Sequence, residues 1–161
     1  MSNNQIFIIL NGEDQSILTE KSNKIILAKK KLEKINQDHT LLQTNFDSLE
    51  DFIKAESIIK NQFSKIDKLI IVNRDIDLNM ISYQYDYNYI KENYQVLINI
   101  IYFINLLLPL FKSEFHFVLS FDSNNHYKVH FNNFKMSLIN YIKSLKIDLA
   151  KSSKINIKIL N

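Results

Sequence analysis

Two rhythms of apolar residues run along this chain. Short runs rich in isoleucine, leucine and valine alternate with longer stretches in which apolar residues recur every three or four positions. Ile6–Leu10, Lys24–Ala28 and Lys68–Asn73 have the length and β-branched content of buried strands. Thr40–Thr44 is a weaker strand, and Phe115–Phe121 and Ile155–Leu160 bring the number to six. Between them, Ser48–Phe63 places Leu49, Phe52, Ile59 and Phe63 on one helical stripe, with Ser48 three residues before Asp51 as a capping signal. A long apolar helix is predicted over Tyr89–Phe111. Another, over Phe131–Ala150, carries Phe134, Leu138, Tyr141, Ile142, Leu145 and Leu149 at helical spacing. Strands alternating with helices predict an α/β fold with a mostly parallel sheet and right-handed crossovers. There is no internal repeat and no linker, so residues 1–161 read as a single domain.

Composition narrows the function classes. The net charge is only +3, and Arg74 is the sole arginine, so a nucleic-acid partner is not expected. Cysteine is absent, which excludes disulfides, thiolate chemistry and cysteine-ligated metals. His126 and His130 stand four apart, with His116 as a conceivable third ligand, but ordinary histidines are the better reading and no metal is expected. Val96–Phe111 is short for a bilayer span and contains Asn99, Asn105 and Pro109, so a buried core helix is expected and no membrane. No basic-then-apolar leader opens the chain, which reads as a cytoplasmic protein. Tyr83, Tyr85, Tyr87 and Tyr89 alternate like one face of a strand, for which local packing is the favoured role.

Gly12, the only glycine, follows directly on the first strand. A strand entering a glycine turn and then a helix is the start of a dinucleotide-binding unit, which usually needs several glycines. Here the turn reads Asn11-Gly12-Glu13-Asp14-Gln15-Ser16, with two carboxylates where a cofactor's phosphates would lie. Only about a dozen residues separate Asn11 from the second strand, so the first helix must be cut to a turn or two around Ser16–Ser22.

The serial order of segments resembles the short-chain dehydrogenase/reductase family across nearly the whole chain. The resemblance rests on IFIILNG at the first strand and TNF at Thr44–Phe46. It extends through IDKLIIVN at Ile66–Asn73, LLLPLFKS at Leu106–Ser113 and FVLS at Phe117–Ser120. The pair FNNFKMSLINYIKSLKIDLA and KINIKILN carries it furthest. The resemblance implies a Rossmann-like, doubly wound sheet of about six strands in the order 3-2-1-4-5-6, with helices on both faces. It implies an NAD(P)-dependent oxidoreductase ancestry, and a chain ending before the family's last strand and substrate lid.

Carried over position by position, the family's catalytic lysine falls on Lys135 and its serine at or next to Ser120. Its tyrosine falls on Phe131, which has no ionisable proton and cannot serve as a general acid or base. The relay asparagine falls at Val96, with Asn99 one turn away. Gly12, Lys29, Asn45 and Asn73 fall on cofactor-binding positions, as vestiges. The expectation is therefore a degenerate, non-catalytic pseudoenzyme with no cofactor. It would persist as an oligomeric scaffold or as the partner of an active relative, through the helices at 89–111 and 131–150. The alternative is an oxidoreductase that still binds NAD(P) weakly.

Overall fold

The apolar runs become strands, and most extend beyond their runs at the amino end. The structure, a computed structural model, describes residues 3–11, 22–29, 39–74, 87–121 and 129–160. The strands are β1 (Asn4–Asn11), β2 (Asn23–Ala28), β3 (His39–Gln43), β4 (Ile66–Asn73), β5 (Phe111–Phe121) and β6 (Lys154–Leu160). All neighbours pair in parallel, in the order β3-β2-β1-β4-β5-β6. This is the doubly wound order, and it reverses between β1 and β4.

Strand alternation divides the sheet into two faces. One face carries Ile6, Ile8, Ile25, Leu27, Leu69, Ile71, Phe117 and Leu119, packed with residues of three helices. The other carries Phe7, Ile9, Ile26, Ala28, Ile70 and Val72 as a second buried cluster. Lys24 is buried on this second face, its Nζ 5.7 Å from the centre of the Phe7 ring. Both faces are apolar, which is why the strands read as continuous runs.

Helix α1 spans Leu49–Gln62, α2 Tyr87–Leu107 and α3 Val129–Asp148. Among the described residues, all three pack on the first face. The short helix predicted around Ser16 lies outside the described residues. The Ser48 cap forms as its spacing predicts, with Oγ accepting from the Asp51 N–H at 3.3 Å. The Asp51 carboxylate also accepts from the Asn45 N–H at 2.9 Å, which anchors the turn leading into α1. The predicted stripe of α1 is corrected at one end. Leu49 is exposed in the first turn, and Ala55 joins Phe52 and Ile59 in the core. Phe52 touches Phe46 and Phe103, with ring centres 5.9 and 5.0 Å apart. A fully buried side chain of that size contributes about 1.5–3 kcal/mol.

The long helix ends earlier than the apolar pattern predicts. Pro109 supplies no N–H and restricts Leu108, so α2 stops at Leu107 and a 3₁₀ turn covers Leu108–Leu110. Phe111 is already extended, opening β5 four residues before the predicted start, and its ring stacks on Phe115 at 3.6 Å. Tyr87 and Tyr89 lie in the first turn of α2 rather than on a strand, while Tyr83 and Tyr85 lie outside the described residues. By length and composition, Tyr87–Leu110 is apolar enough to cross a membrane. In this fold Leu97, Ile100, Phe103, Ile104 and Leu107 are buried in the sheet-facing core, the role expected of it.

Candidate functional site

In a doubly wound sheet, ligands lie beyond the carboxyl ends of the strands, at the point where the order reverses. Here that point lies between β1 and β4, which end in Asn11 and Asn73. Their side chains are joined, Asn11 Nδ2 donating to Asn73 Oδ1 at 3.2 Å. The Arg74 N–H donates to the Asn11 carbonyl at 3.0 Å, so the two strand ends are laced together by both backbone and side chain. Gly12 and the acidic pair Glu13 and Asp14 lie outside the described residues.

The ends of β2 and β3 form the next part of the rim. The Thr44 N–H donates to the Ala28 carbonyl at 2.9 Å, and Gln43 Nε2 reaches the Lys29 carbonyl at 3.4 Å. Lys29 and Asn45 are both exposed on this rim. Behind it Phe46 is buried, and its carbonyl accepts from Asn99 Nδ2 at 3.0 Å. Asn99 is 1 % exposed, and its Oδ1 accepts from Gln95 Nε2 at 2.9 Å. Its amide is thus committed to holding α2 against the turn before α1. Val96, onto which the family resemblance carries the relay asparagine, is partly buried against the same core.

The opposite corner is formed by the end of β5 and the start of α3. Phe121 closes the strand on the helix-covered face. Phe131 packs its ring edge-on against Phe121 at 5.8 Å, and Lys135, one turn later, holds Nζ 5.4 Å from the centre of the same ring. Phe121 therefore stands between the two positions that the sequence reading set together. Ser120 does not join them. It is fully buried in register with Val72, and alternation turns its side chain to the other face of the sheet.

Among the described residues of this corner none is a tyrosine, and Tyr127 lies outside the described residues. Tyr141 lies ten residues beyond Phe131, about 15 Å along a helix, and its hydroxyl donates to Asn105 Oδ1 at 2.9 Å. Burial pushes the Tyr141 phenol up from its usual range, against the smaller downward pull of the Asn105 bond. His126 and the His130 side chain lie outside the description. Among the described residues, no three histidine, aspartate or glutamate side chains converge on a metal position.

Of the residues singled out from the sequence, Lys29, Asn45 and Asn73 lie at or just past the carboxyl ends of β2, β3 and β4, Phe131 and Lys135 lie in α3, Ser120 lies in β5 facing the other side of the sheet, and Gly12 lies outside the described residues. The sequence reading missed Phe121 and the Asn11–Asn73 bridge. A signal for Phe121 was present: Phe115, Phe117, Leu119 and Phe121 alternate on a single strand face. Asn11 carried none, because its partner is 62 residues away.

No family model matches the sequence, and no curated protein matches it. Solved structures do match. One is a short-chain dehydrogenase family protein from Francisella tularensis, with a TM-score of 0.77 and 18% identity, covering 99% of this chain and 68% of that one. A 3-ketoacyl-(acyl-carrier-protein) reductase from Brucella melitensis, solved with NADH, has a TM-score of 0.75 and 16% identity over 98% of this chain and 74% of its own. L-sorbose reductase from Gluconobacter frateurii, solved with NADPH and L-sorbose, has a TM-score of 0.73 and 13% identity over 99% and 69%. The chain has the Rossmann-like fold of the short-chain dehydrogenases and reductases.

Proposed function

We propose that this chain is a non-catalytic, degenerate protein on the short-chain dehydrogenase fold, soluble in the cytoplasm, acting as an oligomeric scaffold or as the partner of an active relative. The observation that carries the reading is the corner at Phe121. Phenylalanine at position 131 offers no proton, its ring is packed on Phe121, and the Lys135 ammonium lies over that ring. The residues described there, Phe121, Phe131 and Lys135, offer no group for proton transfer at the tyrosine position, and Ser120 faces away from them.

Partner binding is supported by the outward side of α2. Tyr94, Ile98 and Tyr102 recur every four residues and are exposed, Ile98 at 58%. On α3, Met136 and Ile147 are exposed as well. The Tyr141–Asn105 bond links the two helices at this surface. Titration with NADH and NADPH, followed by light scattering, tests both halves. The expected results are no heat of binding and a mass of at least two chains, with Tyr102→Glu combined with Tyr141→Glu dissociating the assembly. A micromolar dissociation constant rejects the first half, and a monomer at micromolar concentration rejects the second.

The second reading is an oxidoreductase with weakened NAD(P) binding. It is favoured by the bound NADH and NADPH of the Brucella and Gluconobacter proteins, and by Lys29, Asn45 and Asn73 lying at or just past the carboxyl ends of β2, β3 and β4. The same titration decides between the two.

A further inference from the structure

The sheet order leaves β3 at one margin, and β3 lies well inside the chain, between β2 and α1. β2 occupies one edge of it, from Lys24 opposite His39 to Ala28 opposite Gln43. No strand among the described residues pairs along the other edge. The Thr44 N–H donates to the Ala28 carbonyl, and so points at β2. Backbone groups alternate in direction along a strand, so Thr40 and Leu42 also turn theirs toward β2. His39, Leu41 and Gln43 turn theirs outward. Gln43 is exposed, and the other four residues of β3 are partly so.

Edges of this kind are ordinarily guarded by lysine, proline or a bulge. β3 has none of these. It reads His-Thr-Leu-Leu-Gln, and its pairing with β2 runs without a shift of register. Beside the strand, Leu41, Leu42, Ala55 and Ile58 line a recess of about 240 Å³ together with Asp51 and Lys54. Both charges are engaged within the chain. Asp51 accepts from the Asn45 N–H at 2.9 Å, and Lys54 pairs with Glu50 at 2.8 Å.

We propose that β3 is a self-pairing edge, at which a second copy of this chain adds its own β3 in the antiparallel sense. The two sheets then join across a two-fold axis at Leu41. The axis sets Leu41 against Leu41 and His39 against Gln43. These are the outward-turned residues, so each pair exchanges both of its backbone bonds. Thr40 of the second copy falls opposite Leu42, at the mouth of the recess. Any other centre pairs fewer of the five residues, and no pair here sets like charges in opposition. The strand is thus complementary to itself, which favours a second copy over a foreign segment. This interface does not depend on the helix surface proposed above.

The test starts from the whole chain carrying Tyr102→Glu and Tyr141→Glu, which removes the helix surface. Light scattering at about 0.1 mM, where a micromolar interaction is saturated, should still give the mass of two chains. Adding Gln43→Pro deletes an outward N–H and none directed at β2, and should lower the mass to one chain. Gln43→Ala should leave it at two. Residue-resolved hydrogen exchange should show the Leu41 amide at least about tenfold faster after Gln43→Pro, with the Leu42 amide equally protected in both. Leu41→Lys and Leu41→Glu, in the same background, should each be single chains alone and pair when mixed, since the axis sets position 41 against itself. A mass of one chain before any change in β3 overturns the proposal and leaves the helix surface standing. A mass indifferent to Gln43→Pro, a Leu41 amide equally slow in the single chain, or no pairing in the Lys and Glu mixture overturns it as well.

Discussion

Asn99 donates from Nδ2 to the carbonyl of Phe46 at 3.0 Å, tying the middle of α2 to the turn that leads into α1. Both residues are buried, so neither group has water to fall back on. Asn99→Leu leaves the Phe46 carbonyl and the Gln95 amide without this partner. A buried acceptor left unpaired costs about 1–3 kcal/mol. Urea unfolding should show a lower midpoint with an unchanged slope, and a midpoint equal to that of the parent would show that the bond contributes nothing.

Phe131→Tyr puts a phenol at the position onto which the family resemblance carries the tyrosine, yet no turnover is expected. The new hydroxyl sits beside the Phe121 ring, with the Lys135 ammonium over that ring and Ser120 on the far face of β5. Catalysis needs these groups converging on one substrate oxygen, not one of them alone. The assay is NADPH-dependent reduction of small diketones. Activity in the variant that the parent lacks would refute the account.

The Tyr141 phenol gives a pH signature. Burial raises its pKa, so between the unfolded and folded values the native chain holds more protons than the unfolded one. The associated stability is complete below the unfolded value of about 10 and is lost as pH rises through the folded value. Tyr141→Phe also loses the bond to Asn105 but has no proton to release. Urea midpoints measured from pH 8 to pH 11 should therefore converge, the parent falling faster above pH 10. Parallel curves would contradict the buried phenol.

Phe52 and Leu49 look alike in sequence, both apolar and on one predicted stripe of α1, but their substitutions should differ severalfold. Phe52→Ala removes a fully buried ring that touches Phe46 and Phe103 and should cost about 3–5 kcal/mol. Leu49→Ala, at an exposed site in the first turn, should stay within about 0.5 kcal/mol. Thermal or urea unfolding of the two variants side by side measures this. Similar losses would mean that Leu49 is packed.

What the sequence determined by itself was the kind and succession of elements. A strand buried on both faces needs an unbroken apolar run, so Ile6–Leu10 and Lys68–Asn73 announce themselves locally. So does the Ser48–Asp51 cap, whose two residues are three apart and need nothing distant. Order in the sheet was legible only through resemblance, because no local rule says that β1 pairs with β4 as well as β2. Alternation puts Ser120 and Phe121 on opposite faces of β5, but which face α3 covers is a matter of packing. That packing decided that Lys135 meets the Phe121 ring and not Ser120. It likewise bound Asn11 to Asn73 and Asn99 to Phe46, whose partners lie 62 and 53 residues away. Such contacts follow from the closure of the whole chain around its core, and no window of sequence short enough to show periodicity contains both halves of them.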